Sequence, residues 1–201
     1  MNRSQPKTVA YFLVGIVAAL VIGIAIAYAI QISTPPVTVP LVAMNGKAEN
    51  VAISGKPTVV VFFATWCPYC AYDAKYVLPA FAKKVQQAGG RVIGVQASLQ
   101  LGIGIPGPLG NPTAGQDGSH YQPPPGKEES DSLAELHKYQ KTFHLDYPLY
   151  YDPGLRYTIK SGISTYPEFA FYSSSGAFVT GLIGAQPESS LWKSYQQAAS
   201  Q

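Results

Sequence analysis

TVVVFFATWCPYC, the stretch from Thr58 to Cys70, decides the fold. Its first part is a nearly continuous run of β-branched and aromatic residues, the pattern of a central strand buried on both faces. Its second part sets two cysteines three positions apart at the end of that strand. Pro68 between them suits the first turn of a helix, because it has no N–H to leave unsatisfied and its φ is already helical. After Cys70, apolar residues at Ala74, Val77, Leu78, Phe81 and Val85 follow helical spacing as far as the stop at Gly89-Gly90, with a kink expected at Pro79. RVIGVQAS, from Arg91 to Ser98, is a second apolar strand. Residues 58–98 therefore read as strand, helix, strand with a parallel pair, and both strands end on the edge that carries the cysteines.

Working outward, Leu41 to Ile53 reads as two short strands about Asn45-Gly46, a dipeptide suited to the positive φ of a tight turn. Gly55-Lys56-Pro57 punctuates the chain before the central strand. On the other side, 13 of the 33 residues from Leu99 to Asp131 are Gly or Pro and the apolar ones show no period, so this segment reads as an insertion without ordinary core structure. A helix is expected next, with Ser132 as N-cap, Glu135 at the capping-box position, and Leu133, Leu136, Tyr139 and Phe143 on its buried side. A strand near Tyr147 to Tyr151, the turn Asp152-Pro153-Gly154 and a short helix near Leu155 to Lys160 follow. EFAFYSSSGAFVTGLIG alternates about Ser175-Gly176 as a hairpin does, and Glu188 to Ala199 closes the chain as a helix. The expected class is α/β, a mixed central sheet flanked by helices and opened by an N-terminal hairpin.

The 201 residues, 47% hydrophobic and 12% charged, suit one packed domain with an appendage. Of 14 basic side chains Arg3 and Lys7 lie ahead of the folded part, and the rest nearly balance the 11 acidic ones, which is no footprint for nucleic acid. Val9 to Ile32 contains no charge, and its length at about 1.5 Å per residue is roughly 36 Å, enough for a single transmembrane helix. Arg3 and Lys7 precede it and nothing basic follows until Lys47, so the positive-inside rule keeps residues 1–8 in the cytoplasm. The expected organisation is a membrane anchor over 9–32, a Pro-containing linker over 33–40, and an extracytoplasmic domain over 41–201 with its insertion at 99–131. Ala27-Tyr28-Ala29 also offers a cleavage site for a signal peptide; either way the domain is exported.

Two cysteines are too few and too close to staple a fold, so their purpose is chemical. At the start of a helix, the Cys67 sulfur sits beside free backbone N–H groups and the positive end of the helix dipole, which lowers its pKa. Its thiolate can attack a disulfide, and Cys70 can then attack the mixed disulfide; run backwards, the pair oxidises dithiols. Tyr69 influences access and redox poise, and Pro68 and Tyr69 are both expected among the substrate-binding residues. Asp73 lies on the Cys70 face of the helix, as a proton acceptor for the buried thiol or as an acid favoured by the helix dipole. Trp66 offers a flat apolar surface to a substrate or simply packs. Four zinc ligands are not assembled by His120, His137 and His144, which stand at no familiar metal spacing.

The ordered set Gly55-Lys56-Pro57, VVVFFATWCPYC, RVIGVQAS, Tyr151-Asp152-Pro153-Gly154 and Gly162-Ile163-Ser164-Thr165-Tyr166-Pro167, followed by the Ser175-Gly176 hairpin, resembles the thioredoxin superfamily, most closely its membrane-anchored TlpA/ResA-type redoxins. The likeness covers nearly all of the chain after the anchor. It implies that Pro167 is a cis-proline facing the cysteines, with the Tyr166 backbone pairing with bound substrate in β fashion. Three departures stand out. Val61 occupies the place of the buried acid of thioredoxins proper, which leaves proton transfer to Asp73 or water. Lys75 occupies the place of the usual helix-kinking proline, and Pro79 comes four residues later. The 99–131 insertion replaces a short connection and reads as a substrate-selecting lid or as a surface loop.

The resemblance implies an extracytoplasmic thiol-disulfide oxidoreductase acting on protein thiols and disulfides, reductive as in cytochrome c maturation, recharged by a transmembrane electron donor and needing no cofactor beyond the Cys67-Cys70 pair. The alternatives are a disulfide-forming oxidase and a copper or zinc carrier with both cysteines as soft ligands. Peroxiredoxin chemistry is disfavoured because no Arg lies near Cys67 in sequence.

Overall fold

The computed structural model describes Leu13 and residues 15–24, 36–106 and 121–201. The chain divides into two units at Pro35/Pro36. In the first, Leu13 and residues 15–24 are helical, with Leu13, Ile16, Val17 and Leu20 exposed. The rest of the expected anchor at 9–32 lies outside the described residues, as do residues 1–8 and 107–120, the last including His120. Among the described residues no helix is long and apolar enough to cross a membrane.

In the second unit seven strands form one mixed sheet: β1 (Thr38–Ala43), β2 (Ala48–Ala52), β3 (Thr58–Phe63), β4 (Arg91–Gln96), β5 (Leu149–Tyr151), β6 (Glu168–Tyr172) and β7 (Phe178–Ile183), in the order β2-β1-β5-β4-β3-β6-β7. As the sequence pattern requires, β3 is buried along its whole length, pairing in parallel with β4 and antiparallel with β6. Its side chains alternate between two cores. Val59, Val61 and Phe63 join Val92, Phe169 and Phe171 on the face covered by α1 (Pro68–Tyr76), α2 (Leu78–Gln87), α3 (Glu128–Phe143) and α5 (Glu188–Ala199). Val60 and Phe62 join Ile93, Val95, Ala170 and Tyr172 on the other face, where α4 (Arg156–Lys160) supplies Tyr157. Among the described residues both cores draw on side chains from Val39 onward, so this unit has the self-contained core of an independently folding domain.

Four expectations change in detail. Thr38, Val39 and Pro40 belong to β1 rather than to a linker, because Val39 and Leu41 alternate into the core; β5 pairs only with Val42 and Ala43, so Pro40 is not asked to bond on that side. Pro79 does not merely kink the active-site helix but divides it: lacking an N–H to return to Lys75, it sits in the first turn of α2 after the break at Val77. α3 begins at Glu128, not after Ser132. Gly126, at φ +83°, turns the chain after three prolines and its N–H donates to Glu128 Oε2 at 2.7 Å, while Glu128, Glu129 and Asp131 complement the positive helix end. Ser132 is therefore a buried residue inside the helix, and Glu135 lies beyond any capping box. Finally, the start of the insertion is core: Leu101 is fully buried and bridges to Tyr121.

Phe81 of α2 is fully buried against the sheet. Phe81→Ala is expected to cost about 3–5 kcal/mol, read from the urea midpoint at unchanged m-value; a loss below about 1 kcal/mol would remove this residue from the core.

Candidate active site

Cys67 is the N-cap of α1. Its backbone is extended (φ −75°, ψ 123°), and its Sγ accepts the Cys70 N–H at 3.4 Å, the place an oxygen side chain takes in most caps. Pro68 follows at the first helical position. The Cys67 thiol in turn points at the Tyr166 carbonyl, 3.7 Å away. Both cysteines are free thiols and both are buried. Their environments pull them apart. The Cys70 thiol, and then the Cys70 and Tyr69 N–H groups, lower the Cys67 pKa against the opposing effect of burial. Burial, and then the Cys67 sulfur, push Cys70 well above the ordinary thiol range. Cys67 is therefore the thiol that deprotonates first and Cys70 the one that holds its proton.

Asp73 is one turn beyond Cys70, fully buried, and neither carboxylate oxygen makes a hydrogen bond. It lies past the first turn of α1, so the helix dipole does not account for its presence. Burial, followed by repulsion from the Cys67 sulfur, pushes its pKa up to about 8. Val61 sits in the same core layer as both cysteines.

Aromatic residues frame the pair from across the sheet edge. The Tyr166-Pro167 peptide is cis, and the Tyr166 ring meets Trp66 edge-on at 6.4 Å. The Trp66 Nε1–H donates to Ser98 Oγ at 3.0 Å, and the Tyr166 hydroxyl donates to the Ala97 carbonyl. Both rings are thus fastened to the residues that leave β4. Gln96, fully buried, makes that exit rigid: its Oε1 accepts the Thr65 N–H at 3.1 Å and its Nε2 donates to the Ser98 carbonyl at 3.2 Å. On α1, Tyr69 is half-buried and Pro68 is buried. The expected site residues Trp66, Cys67, Pro68, Cys70, Asp73, Tyr166 and Pro167 thus converge on one end of the sheet. His137 bonds the Met44 carbonyl at 2.9 Å and His144 ends α3 in a left-handed conformation.

Sequence reasoning missed Gln96, Ser98 and Gly104. Gln96 had a signal, a lone amide at the end of an apolar strand. Gly104 lay hidden in the insertion. Its N–H donates to the Thr65 carbonyl at 2.8 Å, and a Cβ there would lie 2.7 Å from the Cys67 carbonyl oxygen and 2.9 Å from that of Trp66. Only glycine lets the insertion's first limb press against the cysteine loop.

No protein-family profile matches the chain, and no curated protein matches it significantly. Solved structures do match. A thiol:disulfide interchange protein of the thioredoxin family from Chlorobium tepidum superposes with a TM-score of 0.53 at 20% identity, covering 83% of this chain and 98% of its own. The pneumococcal exposed lipoprotein thioredoxin from Streptococcus pneumoniae gives 0.51 at 22% identity, covering 79% and 98%. A secreted Mycobacterium tuberculosis disulfide oxidoreductase homologous to E. coli DsbE gives 0.52 at 15% identity, covering 80% and 96%. The fold is thioredoxin-like, of the kind these thiol-disulfide proteins share.

Two outcomes follow from the geometry. Gly104→Ala forces the Trp66–Cys67 backbone to move, and overpacking of this kind costs about 1–3 kcal/mol; the variant is expected to shift the Cys67 titration followed by thiolate absorbance, and an unshifted titration in a variant of normal stability would show the limb to be independent of the site. Asp73 keeps its proton to about pH 8 when folded, against an ordinary value of 3.8. The native state therefore binds more protons than the unfolded chain between those values, and the reduced domain should lose stability as pH rises from about 4 to about 8. Asp73→Asn removes this contribution, so its stability relative to the parent should grow with pH across that window; a constant difference in denaturation midpoints would contradict the assignment.

Proposed function

We propose that the chain is an extracytoplasmic protein thiol-disulfide oxidoreductase working as a reductant, held at the membrane by its N-terminal segment. The observation that carries the chemistry is the asymmetry between Cys67, lowered and capping a helix, and Cys70, raised and buried one turn deeper. In the first step the Cys67 thiolate attacks one sulfur of a substrate disulfide; the new S–S bond forms as the old one breaks, and the departing substrate thiolate takes up a proton. In the second, Cys70 loses its proton and attacks the Cys67 sulfur, releasing the other substrate sulfur as a thiolate. Two electrons have passed to the substrate and the enzyme pair is a disulfide. In its minor, deprotonated form Asp73 takes the Cys70 proton, since a buried carboxyl with a pKa of about 8 still exchanges protons at working pH.

The reductive direction rests on what stabilises the thiolate. A strong oxidant owes its potential to a heavily stabilised reduced form. Here the groups lowering Cys67 are neutral hydrogen-bond donors, and burial works against them. The dithiol is therefore weakly stabilised, which favours giving electrons away, as cytochrome c maturation requires. Trp66, Tyr166 and Pro167 receive the substrate polypeptide, and an oxidised domain outside the cytoplasm draws its electrons from a transmembrane donor. The exposed lipoprotein and the secreted enzyme among the similar structures support export, and the uncharged Val9–Ile32 stretch supports anchoring.

The test is the reduction potential of Cys67/Cys70 after equilibration with glutathione or dithiothreitol. A value of roughly −270 mV or lower is expected; one near about −120 mV would make the protein an oxidase, and absence of a redox-active disulfide would end the enzyme reading. Cys67→Ser should abolish exchange, and Cys70→Ser should accumulate the mixed disulfide.

A further inference from the structure

Among the described residues, the sheet face opposite α1, α2, α3 and α5 carries the short α4, and exposed apolar side chains gather around that helix. Phe178 and Ile183 are 62% and 64% exposed on the outer strand β7, Ile159 is 69% exposed on α4, and Val37 is 44% exposed where the chain enters β1. They share one side. Phe178 pairs with Tyr172, Gly181 with Ala170 and Ile183 with Glu168 across β6 and β7, and Ala170 and Tyr172 point into the α4-side core. Between β7 and α4 lies a cavity of about 530 Å³ walled by Val37, Val39, Ile53, Ile163 and Phe178. Arg156 and Lys160 stand on its α4 wall, both exposed, and neither has an acidic partner within 4 Å among the described residues. The one carboxylate in the lining, Glu168, is half-buried at the inner wall. Exposed apolar groups around unpaired cations form a surface complementary to lipid headgroups over an apolar layer.

We propose that this face docks on an anionic bilayer surface, with Arg156 and Lys160 on the headgroups and Val37, Ile159, Phe178 and Ile183 reaching the apolar boundary. The proposal rests on the anchored reading of residues 9–32. If the span ends at Ile32, Val37 is five peptide steps away, no more than about 18 Å of extended chain. Val37 lies on the rim of the patch itself. A tether this short holds the face at high effective concentration beside the membrane, so a contact that is weak for a free domain is populated for the anchored one.

Residues 36–201, which contain both cores, are the protein to use, with vesicles of phosphatidylcholine alone or with one quarter phosphatidylglycerol, at millimolar lipid. Co-sedimentation is expected with the anionic vesicles and not with the neutral ones. Arg156→Glu with Lys160→Glu should weaken it at least 25-fold, taking about fivefold for each cation removed, and Phe178→Asp should weaken it as well. Both variants should exchange disulfides in solution at the parental rate. Equal binding to both vesicle types, binding indifferent to these substitutions, no binding at all, or a lipid-free dimer broken by Phe178→Asp would each overturn the proposal. Failure of the anchor is read separately: the full chain would then fractionate as a soluble protein, whatever the vesicles show.

Discussion

Everything in the active site depends on the burial of β3 on both faces. A strand flanked by β4 and β6 has its backbone groups committed to ladders, and its side chains have no choice but to alternate between the two cores. The chain must leave such a strand at the sheet edge, and the first backbone N–H groups without a ladder partner are those of the helix that begins there. Placing a cysteine at that N-cap gives its sulfur those donors and the positive helix end while the surrounding core excludes water. The same desolvation that makes the sheet stable thus separates the two thiols, because Cys67 has donors to offset burial and Cys70, one turn deeper, is dominated by it.

The site is legible in the sequence because it is built from local patterns: an apolar strand, CxxC at its end, Pro68 at the helix start. Elements with strong periodicity or turn chemistry were legible too, including the hairpin about Ser175-Gly176 and the helix from Glu188 to Ala199. What escaped was non-local. The start of α3 turned on a polyproline stretch ending at Gly126 and on acidic residues whose value lies in the helix dipole, whereas Ser132 and Glu135 carried a capping pattern that burial overrides. Pro79 marks a disruption in the sequence, but whether a proline kinks a helix or ends it is decided by what the second segment packs on, here the core around Leu78, Phe81 and Val85.

Gln96 shows how polar burial works in the site's favour. An amide with no access to water is costly unless its donors and acceptor are used, and here they are used to join the residues leaving β3 to those leaving β4. Ser98 then holds Trp66 and the Ala97 carbonyl holds Tyr166, so the two aromatic walls are fixed relative to the cysteines by one network. Asp73 is the contrasting case. Its oxygens are buried without hydrogen bonds, and the group tolerates that position because it is protonated near neutrality. Beside two thiols, a buried carboxyl costs more than an apolar side chain filling the same space would.

The Gly/Pro-rich insertion needs to be divided on the same physical grounds. Its composition suggested a segment separable from the fold, and a lid over the cysteines could then be tested by removing residues 99–131 as a block. Leu101 is fully buried, Ile103 packs on the core around the cysteines, and Gly104 bonds Thr65 with its backbone against Cys67. At the far end, Glu128 to Asp131 are the first turn of α3. Removing the block would delete a wall of the active site and a helix start together, and lost activity would say nothing about substrate selection. An informative deletion spares Leu99–Pro106 and everything from Tyr121 onward, so that the cysteine loop keeps the backbone contact that positions it while the intervening residues alone are removed.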